Sequence, residues 1–151
     1  MYNNHKVKDL DELAVIIRSL RLEGKKVAHS HGVFDLLHLG HIRHFEEAKS
    51  MADILVVTLT QDDHVNKGPH RPAFTHDIRA EVIAALDTVD FVSINRWPLS
   101  VETINILNPD IYVKGPDYSL SDQDITGGIV SEIDAIHSIG GAFCVTGDIT
   151  F

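Results

Sequence analysis

The chain has 151 residues, of which 44% are hydrophobic, and its formal net charge at pH 7 is −9. That length suits one domain, and a chain of this size buries roughly 68–70% of its unfolded surface, enough for a full core. The acidic balance argues against a nucleic-acid partner. No apolar run approaches the roughly 20 residues of a membrane span, so we expect no membrane contact. A polar N-terminus without a signal peptide, and a single cysteine that excludes an internal disulfide, favour a cytoplasmic protein.

The first half of the chain alternates between helical and strand patterns. Asp9 and Glu12 resemble a capping box in front of apolar residues at helical spacing, and Gly24 ends that helix. Strands are predicted at residues 27–30 and 54–59, the second continuously apolar as in a strand covered on both faces. The helix between these strands has a predicted apolar inner face, made by Ile42, Phe45, Ala48 and Ala52.

The second half continues the alternation after a polar loop at residues 61–74. Thr75 is positioned to cap the next helix, and a short helix is predicted at residues 100–107. Further strands are predicted at residues 91–94, 111–113 and 142–145. The inner face of the helix after Thr75 is predicted to carry Ile78, Val82, Ile83 and Leu86. The last helix, closed by a glycine pair, is predicted to bury Ile129, Ile133, Ile136 and Ile139.

Strands that alternate with helices predict an α/β fold with a five-stranded parallel sheet and right-handed crossovers. Ligands of such sheets bind beyond the carboxyl ends of the strands, where the strand order reverses. Three loops leave such ends, at residues 32–41, 61–74 and 114–118. The sequence therefore predicts one ligand site built from these three loops.

The first of these loops contains two histidines around a glycine. His38 and His41 are three residues apart, so on a helix they share a face and can be directed at one anion at its N-terminus. Gly32 permits close approach of the backbone to a ligand, and Gly40 removes a side chain beside the phosphate path. No Ser, Thr, Asp or Asn immediately precedes Gly40, so we expect the first helix amides to be open to an anion. The alternative is a solvated histidine pair at the start of a helix.

Several blocks of the sequence resemble one family in order. Residues 32–41 (GVFDLLHLGH) resemble the signature of the glycerol-3-phosphate, phosphoethanolamine and sugar-phosphate cytidylyltransferases, and of the nucleotidyltransferase domain of the bifunctional heptose enzymes. Residues 67–72 (KGPHRP) resemble the heptose-type loop, and Arg79 falls on the arginine that follows it. Residues 84–90 (AALDTVD) and 113–118 (VKGPDY) match further blocks. The resemblance runs from about residue 27 to the end of the chain.

This resemblance implies a doubly wound, Rossmann-like fold, with helices on both faces of the sheet, in a homodimer. It also implies a reaction that joins an NTP, either CTP or ATP, to a phosphorylated sugar or polyol and releases pyrophosphate with Mg²⁺ present. A phosphate monoester is mostly ionised at pH 7, so no strong general base is required. The barrier lies instead in bringing two anions together and in stabilising charge on the α-phosphate.

The resemblance also assigns roles to individual residues. His38 and His41 are expected to donate hydrogen bonds to the triphosphate, and Lys67 to neutralise phosphate from the loop. The nucleotide is expected to contact Gly32, Val33, Phe34, Gly40, Arg79, Gly115, Asp117 and Tyr118. The acceptor is expected to contact Asp35, Arg71 and Lys114, with a metal-bound phosphate as the alternative partner of Asp35. For Arg79 a dimer contact is an alternative, and for the 114–118 loop an ordinary strand-to-loop turn is one.

Other chemistries find less support. His29, His31 and His44 suggest a zinc site with the paired histidines, but no cysteine or carboxylate spacing completes it, so no protein metal site is predicted. The dinucleotide fingerprint and the Walker P-loop are absent, which argues against hydride transfer and P-loop chemistry.

Members of the resembled family carry a Ser/Thr-rich segment that binds the triphosphate, at the point where residues 147–151 end the sequence. We therefore expect a single domain that is truncated or cut from a longer fusion, with a sugar kinase domain as fused or separate partner.

The leading hypothesis is a nucleotidyltransferase that transfers CMP or AMP to a sugar phosphate or polyol phosphate for cell-envelope glycan precursors. One rival is a nucleotide-binding regulatory module of the same fold without turnover. The other is an adenylyltransferase acting on a nucleotide or pantetheine acceptor, against which the block at residues 114–118 argues.

Overall fold

The computed structural model describes residues 4–65, 68–116 and 128–147, and within them five strands form one parallel sheet. The strands are β1 (Val27–Gly32), β2 (Ile54–Thr60), β3 (Phe91–Asn95), β4 (Ile111–Lys114) and β5 (Ala142–Val145). Their spatial order is β3-β2-β1-β4-β5. The helices are α1 (Leu10–Leu22), α2 (Leu39–Ser50), α3 (His76–Ala84), α4 (Val101–Leu107) and α5 (Gly128–Ser138). The predicted five-stranded, doubly wound α/β fold is confirmed.

Helices cover both faces of the sheet. Alternate residues of a strand point to opposite faces, so Leu55 of β2 joins the apolar cluster of α2 and α3, whereas its neighbour Val56 joins that of α1. Helices α4 and α5 pack together with Tyr112 of β4 on the α1 side. The strand order reverses between β1 and β4, so the switch point lies at the carboxyl ends of these two strands.

Two helices begin where the sequence predicted. The Asp9 carboxylate accepts a 2.8 Å hydrogen bond from the Glu12 amide and starts α1. The Thr75 hydroxyl accepts one of 3.4 Å from the Ile78 amide and starts α3. Each bond satisfies an amide that has no partner within its helix, and this fixes the helix start.

The predicted inner faces of α3 and α5 are partly wrong. Ile78 and Val82 are 45% and 46% exposed, because α3 instead turns Arg79, which is 2% exposed, toward the sheet. In α5 Ile136 is fully buried as predicted, but Glu132 takes an inward position that apolar periodicity could not indicate. Each of the two helices buries one charged side chain, and the hydrogen bonds of that side chain determine which face of the helix points inward.

Strand β1 extends two residues beyond its predicted end and includes His31. His29 and His31 lie on the same face of β1, and both are buried. The predicted 61–74 loop contains one turn of 3-10 helix at Asp62–His64. Over residues 4–65, 68–116 and 128–147, none of the helices has the length and apolar character needed to cross a bilayer.

Candidate active site at the carboxyl edge of the sheet

The histidine pair itself forms the cap of α2. His38 is the N-cap residue, and its Nδ1 accepts a 3.0 Å hydrogen bond from the Gly40 amide. In return, Nδ1 of His41 accepts a 3.1 Å hydrogen bond from the His38 amide. The ring centroids lie 4.0 Å apart. The expectation of an open Gly40 amide is therefore wrong, because the imidazole of His38 replaces the missing Ser or Asp.

These two bonds fix where each imidazole can carry its proton. A nitrogen that accepts a backbone N–H has no proton, so the proton of the neutral ring lies on Nε2. His38 and His41 therefore both offer an Nε2–H group from the same helix start. Two such donors, together with the positive end of the helix dipole, form an environment that favours an anion.

Gly32 makes room for the aromatic ring that supports His41. A Cβ atom at residue 32 would lie only 2.8 Å from Cζ of Phe34. The backbone of Phe34 is in the left-handed region with φ of 55°, and its buried ring contacts His41 edge-on at 5.5 Å and Phe45 at 5.1 Å. In this structure the Phe34 side chain thus belongs to the core beneath His41, and its proposed nucleotide contact would come from the backbone.

Replacing Gly32 with Ala is expected to destabilise the protein by about 1–3 kcal/mol, because the added methyl group overlaps the Phe34 ring. Urea unfolding measures this change. The matched control is Gly115→Ala, where the nearest atom to the new Cβ is 3.8 Å away and the contact is ordinary. Equal losses in the two variants would contradict the packing role of Gly32.

Asp35 holds the loop in front of α3. Its buried carboxylate accepts hydrogen bonds from the amides of Ala73 at 2.7 Å and Phe74 at 3.1 Å, and pairs with Nε of Arg71 at 3.1 Å. Burial raises the pKa of Asp35, but the two amides and the charges of Arg71 and Arg79 outweigh it and hold the pKa below its usual value. With no exposed side-chain surface, Asp35 does not reach an acceptor in this arrangement, contrary to our prediction. Its role here is to connect the histidine loop to residues 71–74.

Arg79 joins three loops from inside the protein. Nη1 donates to the carbonyl of Val33 at 2.8 Å, Nε to that of Phe74 at 3.0 Å, and Nη2 to the carboxylate of Asp62 at 2.7 Å. The side chain is 1% exposed. The predicted nucleotide contact, and the alternative dimer contact, are therefore not made by Arg79 in this structure, because its guanidinium is buried among these partners.

A cavity of about 330 Å³ opens at the switch point, on the α4–α5 face of the sheet. Its lining includes Gly32 and Val33 after β1, Thr60 at the end of β2, and Lys114 at the end of β4. Nζ of Lys114 donates to the carbonyl of His31 at 3.2 Å and thereby joins β4 to β1. The remaining lining residues are His31, Pro98, Leu99, Gly128, Ile129 and Glu132.

A network of buried histidines and hydroxyl groups beneath the site was not predicted. The Thr58 hydroxyl contacts Nε2 of His29 at 2.7 Å and Nδ1 of His31 at 2.9 Å. On the other face of the sheet, His44 bridges Ser30 at 2.6 Å and Thr146 at 2.9 Å. Burial lowers the pKa of His29 and of His31 to about 3 and that of His44 to about 4, with smaller contributions from neighbouring charges that include Lys114 in each case. All three are therefore neutral at pH 7.

The structure brings most of the predicted residues to one edge of the sheet. Gly32, Val33, His38, Gly40 and His41 lie along the β1–α2 connection, and Lys114 and Gly115 follow β4. Arg71 reaches the same region through its contact with Asp35. Three further predicted residues, Lys67, Asp117 and Tyr118, fall outside the described residues. The described part of the chain contains no group of three or more His, Cys, Asp or Glu side chains arranged to hold a metal ion.

A larger cavity, of about 600 Å³, lies at the opposite edge of the sheet. It is lined by Arg18, Arg21, Lys25 and Lys26 among others, and by Asp110, which pairs with Arg21 at 2.9 Å. Lys26 and Asp110 directly precede β1 and β4, so this cavity lies at the amino ends of the strands. Ligands of open α/β sheets bind at the carboxyl ends, and we therefore assign the candidate site to the smaller cavity and the histidine turn.

Two relatives match most of this chain in sequence. The Bifunctional protein HldE of Citrifermentans bemidjiense is 42% identical over 120 residues, which cover 78% of this chain and 25% of that protein. The protein of the same name from Geobacter metallireducens is 40% identical over 138 residues, which cover 90% of this chain and 27% of that protein. The chain thus spans about a quarter of the length of these relatives.

Two solved structures share the fold. The lipopolysaccharide core biosynthesis protein from Thermoplasma volcanium GSS1 has a TM-score of 0.69 and 26% identity, covering 84% of this chain and 100% of that one. The pantoate-beta-alanine ligase from Francisella tularensis, with a TM-score of 0.57, 15% identity and coverage of 95% and 67%, shares the fold alone. The cytidylyltransferase-like family model matches residues 30–140, and the chain therefore belongs to the cytidylyltransferase-like family.

Proposed function

We propose that this chain is a nucleotidyltransferase that transfers CMP or AMP from CTP or ATP to a sugar phosphate and releases pyrophosphate. The observation that carries the proposal is the pair of Nε2–H donors at the start of α2, on the β1–α2 connection whose Gly32 and Val33 also line the cavity at the switch point. Family membership supports the reaction class. The relatives named HldE and the lipopolysaccharide core protein support a sugar phosphate for cell-envelope glycans, with a polyol phosphate as the alternative acceptor.

The chemistry needs charge stabilisation more than proton transfer. A phosphate oxygen of the acceptor attacks the α-phosphorus of the NTP, and the bond from that phosphorus to the bridging oxygen of pyrophosphate breaks. The acceptor phosphate is mostly dianionic at pH 7 and needs no base. His38 and His41 donate hydrogen bonds to the phosphate oxygens as negative charge grows on them, and the fixed cap geometry means that neither ring has to reorient.

Mg²⁺ is proposed to accompany the triphosphate. In the described part of the chain the nearby carboxylates already have partners, Asp35 with two amides and Asp62 with Arg79. These residues do not provide a ligand set for the ion, which fits the usual binding of Mg²⁺ by substrate phosphates and water. When bound, the ion would neutralise phosphate charge.

The wider setting is also a proposal. The chain spans about a quarter of relatives named as bifunctional proteins, which supports a further domain, such as a sugar kinase, as a fused or separate partner. We propose a homodimer, in line with the family resemblance, and a cytoplasmic location, where NTPs are made.

Pyrophosphate release tests the proposal. The assay pairs ATP and CTP with heptose phosphate, glycerol 3-phosphate and phosphoethanolamine, in the presence of Mg²⁺. We expect turnover with one nucleotide and a sugar phosphate. Failure of every pair, with nucleotide binding still seen by calorimetry, would instead support the regulatory module.

His41→Asn tests the role of the donor pair. Asn can still accept the His38 amide in place of Nδ1, but it lacks the Nε2–H group. We expect kcat to fall by about 10²–10³, the usual cost of one such donor, with little change in the free energy of unfolding. The matched control is His137→Asn, at an exposed histidine of α5, which should leave kcat unchanged. An unchanged kcat in His41→Asn would contradict the proposed mechanism.

A further inference from the structure

The candidate site has two compartments on opposite faces of the sheet. The histidine turn begins α2, which packs on one face, whereas the 330 Å³ cavity lies on the face covered by α4 and α5. Gly32 and Val33 separate the two at the end of β1. At about 330 Å³ the cavity lies at the lower end of the range of small-molecule pockets, which begins at about 300 Å³, so it can hold a group of monosaccharide size.

His31 contributes a polar group of fixed orientation to this cavity. Its register partner in the sheet is Thr58, and the Thr58 hydroxyl contacts both His31 and His29. A hydroxyl has one proton and can donate to only one of the two rings. The other ring must therefore donate to Thr58.

The buried ring of His29 determines which group donates in each of these hydrogen bonds. Nδ1 of His29 is buried and has no hydrogen-bond partner. An unpaired buried N–H is rarer than an unpaired acceptor, so Nδ1 of His29 carries no proton, and His29 donates to Thr58 through Nε2. Thr58 then donates to Nδ1 of His31, and the single proton of the neutral His31 ring lies on Nε2. Nε2 of His31 lies 3.5 Å from the Thr60 hydroxyl, at the limit of a hydrogen bond. A better acceptor could therefore take the place of the Thr60 hydroxyl.

The carboxylate in the lining of the cavity is already fully hydrogen-bonded within the protein. The Glu132 carboxylate accepts hydrogen bonds from the Ser100 amide at 2.9 Å, the Ser100 hydroxyl at 2.8 Å and the Tyr112 hydroxyl at 3.0 Å. Leu99 and Ile129 add apolar walls. The cavity therefore combines apolar walls with a donor from His31 and the positive charge of Lys114, a combination suited to a hydroxylated, anionic ligand.

We propose that the cavity binds the hydroxylated part of the acceptor, and that His31 determines acceptor specificity by donating from Nε2 to an acceptor hydroxyl. This assignment rests on the nucleotidyltransferase function proposed above. It places the acceptor on the α4–α5 face, with its phosphate toward the histidine turn. His31 is then a specificity-determining residue that takes no part in the bond changes.

Two substitutions at residue 31 of the full chain test the inference. Asn places its polar atom near the position of Nδ1, which keeps the Thr58 contact but removes the Nε2 donor, whereas the longer Gln places an amide near Nε2. We expect His31→Asn to raise the KM for heptose phosphate by roughly fivefold to tenfold, the value of one hydrogen bond, with kcat and the KM for the nucleotide unchanged. His31→Gln should restore most of the affinity. His137→Asn is the matched control.

Calorimetry provides a readout that does not depend on turnover. Heptose phosphate should bind His31→Asn more weakly than the unmodified chain, whereas phosphoethanolamine, which has no hydroxyl, should bind both equally. An effect of His31→Asn on the nucleotide KM alone would overturn the inference, as would equal heptose phosphate affinity in both proteins or no heptose phosphate binding to the unmodified chain. Weaker heptose phosphate binding by His31→Asn without turnover by any protein would support the cavity assignment and overturn the proposed reaction.

Discussion

Lowering the pH from 7 to 5 is expected to reduce the free energy of unfolding by about 6 kcal/mol, about 2 kcal/mol for each of His29, His31 and His44. Burial holds the pKa of these histidines at about 3, 3 and 4 in the folded protein, against 6.5 for an unperturbed histidine. Between these values the unfolded chain binds a proton at each site and the folded protein does not. Stability is therefore greatest above pH 6.5 and falls as the pH decreases toward 4.

Urea unfolding at constant ionic strength, in steps from pH 7.5 to 4.5, measures this effect. A loss of about 6 kcal/mol is large against a typical total of about 5–15 kcal/mol, so the unfolding midpoint should fall steeply. Asp35 does not contribute to this change. Because its pKa is lowered in the folded protein, the stability that it provides is lost only at about pH 4 and below, where a carboxyl group is protonated. A free energy of unfolding that is flat from pH 7 to 5 would show that the three rings are not buried as neutral groups.

Arg79→Met is expected to destabilise the protein by about 3–5 kcal/mol and to abolish most activity. The substitution removes three hydrogen bonds and leaves the carbonyls of Val33 and Phe74, and the carboxylate of Asp62, without their buried partner. Because these three groups belong to the loops after β1, after β2 and before α3, the histidine turn should also lose its fixed position.

The matched control is Arg96→Met, at an arginine whose side chain is 51% exposed and lies 3.9 Å from Asp11. An exposed pair of this kind contributes about 0–1 kcal/mol, so its loss should be small. Arg79→Lys separates a structural role from a nucleotide contact, because Lys keeps the charge but not the three-way geometry. A raised nucleotide KM with normal stability in Arg79→Lys would support the nucleotide contact that the sequence predicted, and would contradict the role described here.

The order of strands and helices could be predicted because apolar periodicity and capping residues act locally. Asp9 and Thr75 each bond an amide three residues away, and the continuous apolar run of β2 needs only two covered faces. The inner face of α3 could not be predicted in the same way. It depends on Arg79, whose partners lie 5, 17 and 46 residues away, so the folded loops determine which side of the helix is buried.

The candidate site likewise has a local part that the sequence could predict and a non-local part that it could not. The histidine turn is a local motif, and the pairing of His38 with His41 follows from their spacing. The histidine network is not local, because Thr58 lies 27 residues from His31 and Thr146 lies 102 residues from His44. The signal available was the two-residue spacing of His29 and His31 in β1 and of Thr58 and Thr60 in β2, which places each pair on one face of its strand. Polar residues with this spacing, however, usually mark a solvent-facing strand.

At His38, the cap of α2, greater stability and faster turnover call for different residues. Ser, Asp and Asn are the residues that usually occupy the N-cap position of a helix, and a substitution designed to stabilise the protein would place one of them at position 38. That choice would strengthen the helix start while deleting a phosphate donor, and Asp would add a repelling negative charge. Selection for thermal stability at this turn should therefore yield proteins that are more stable but about 10²–10³ times slower, so active heat-tolerant versions must gain their extra stability elsewhere.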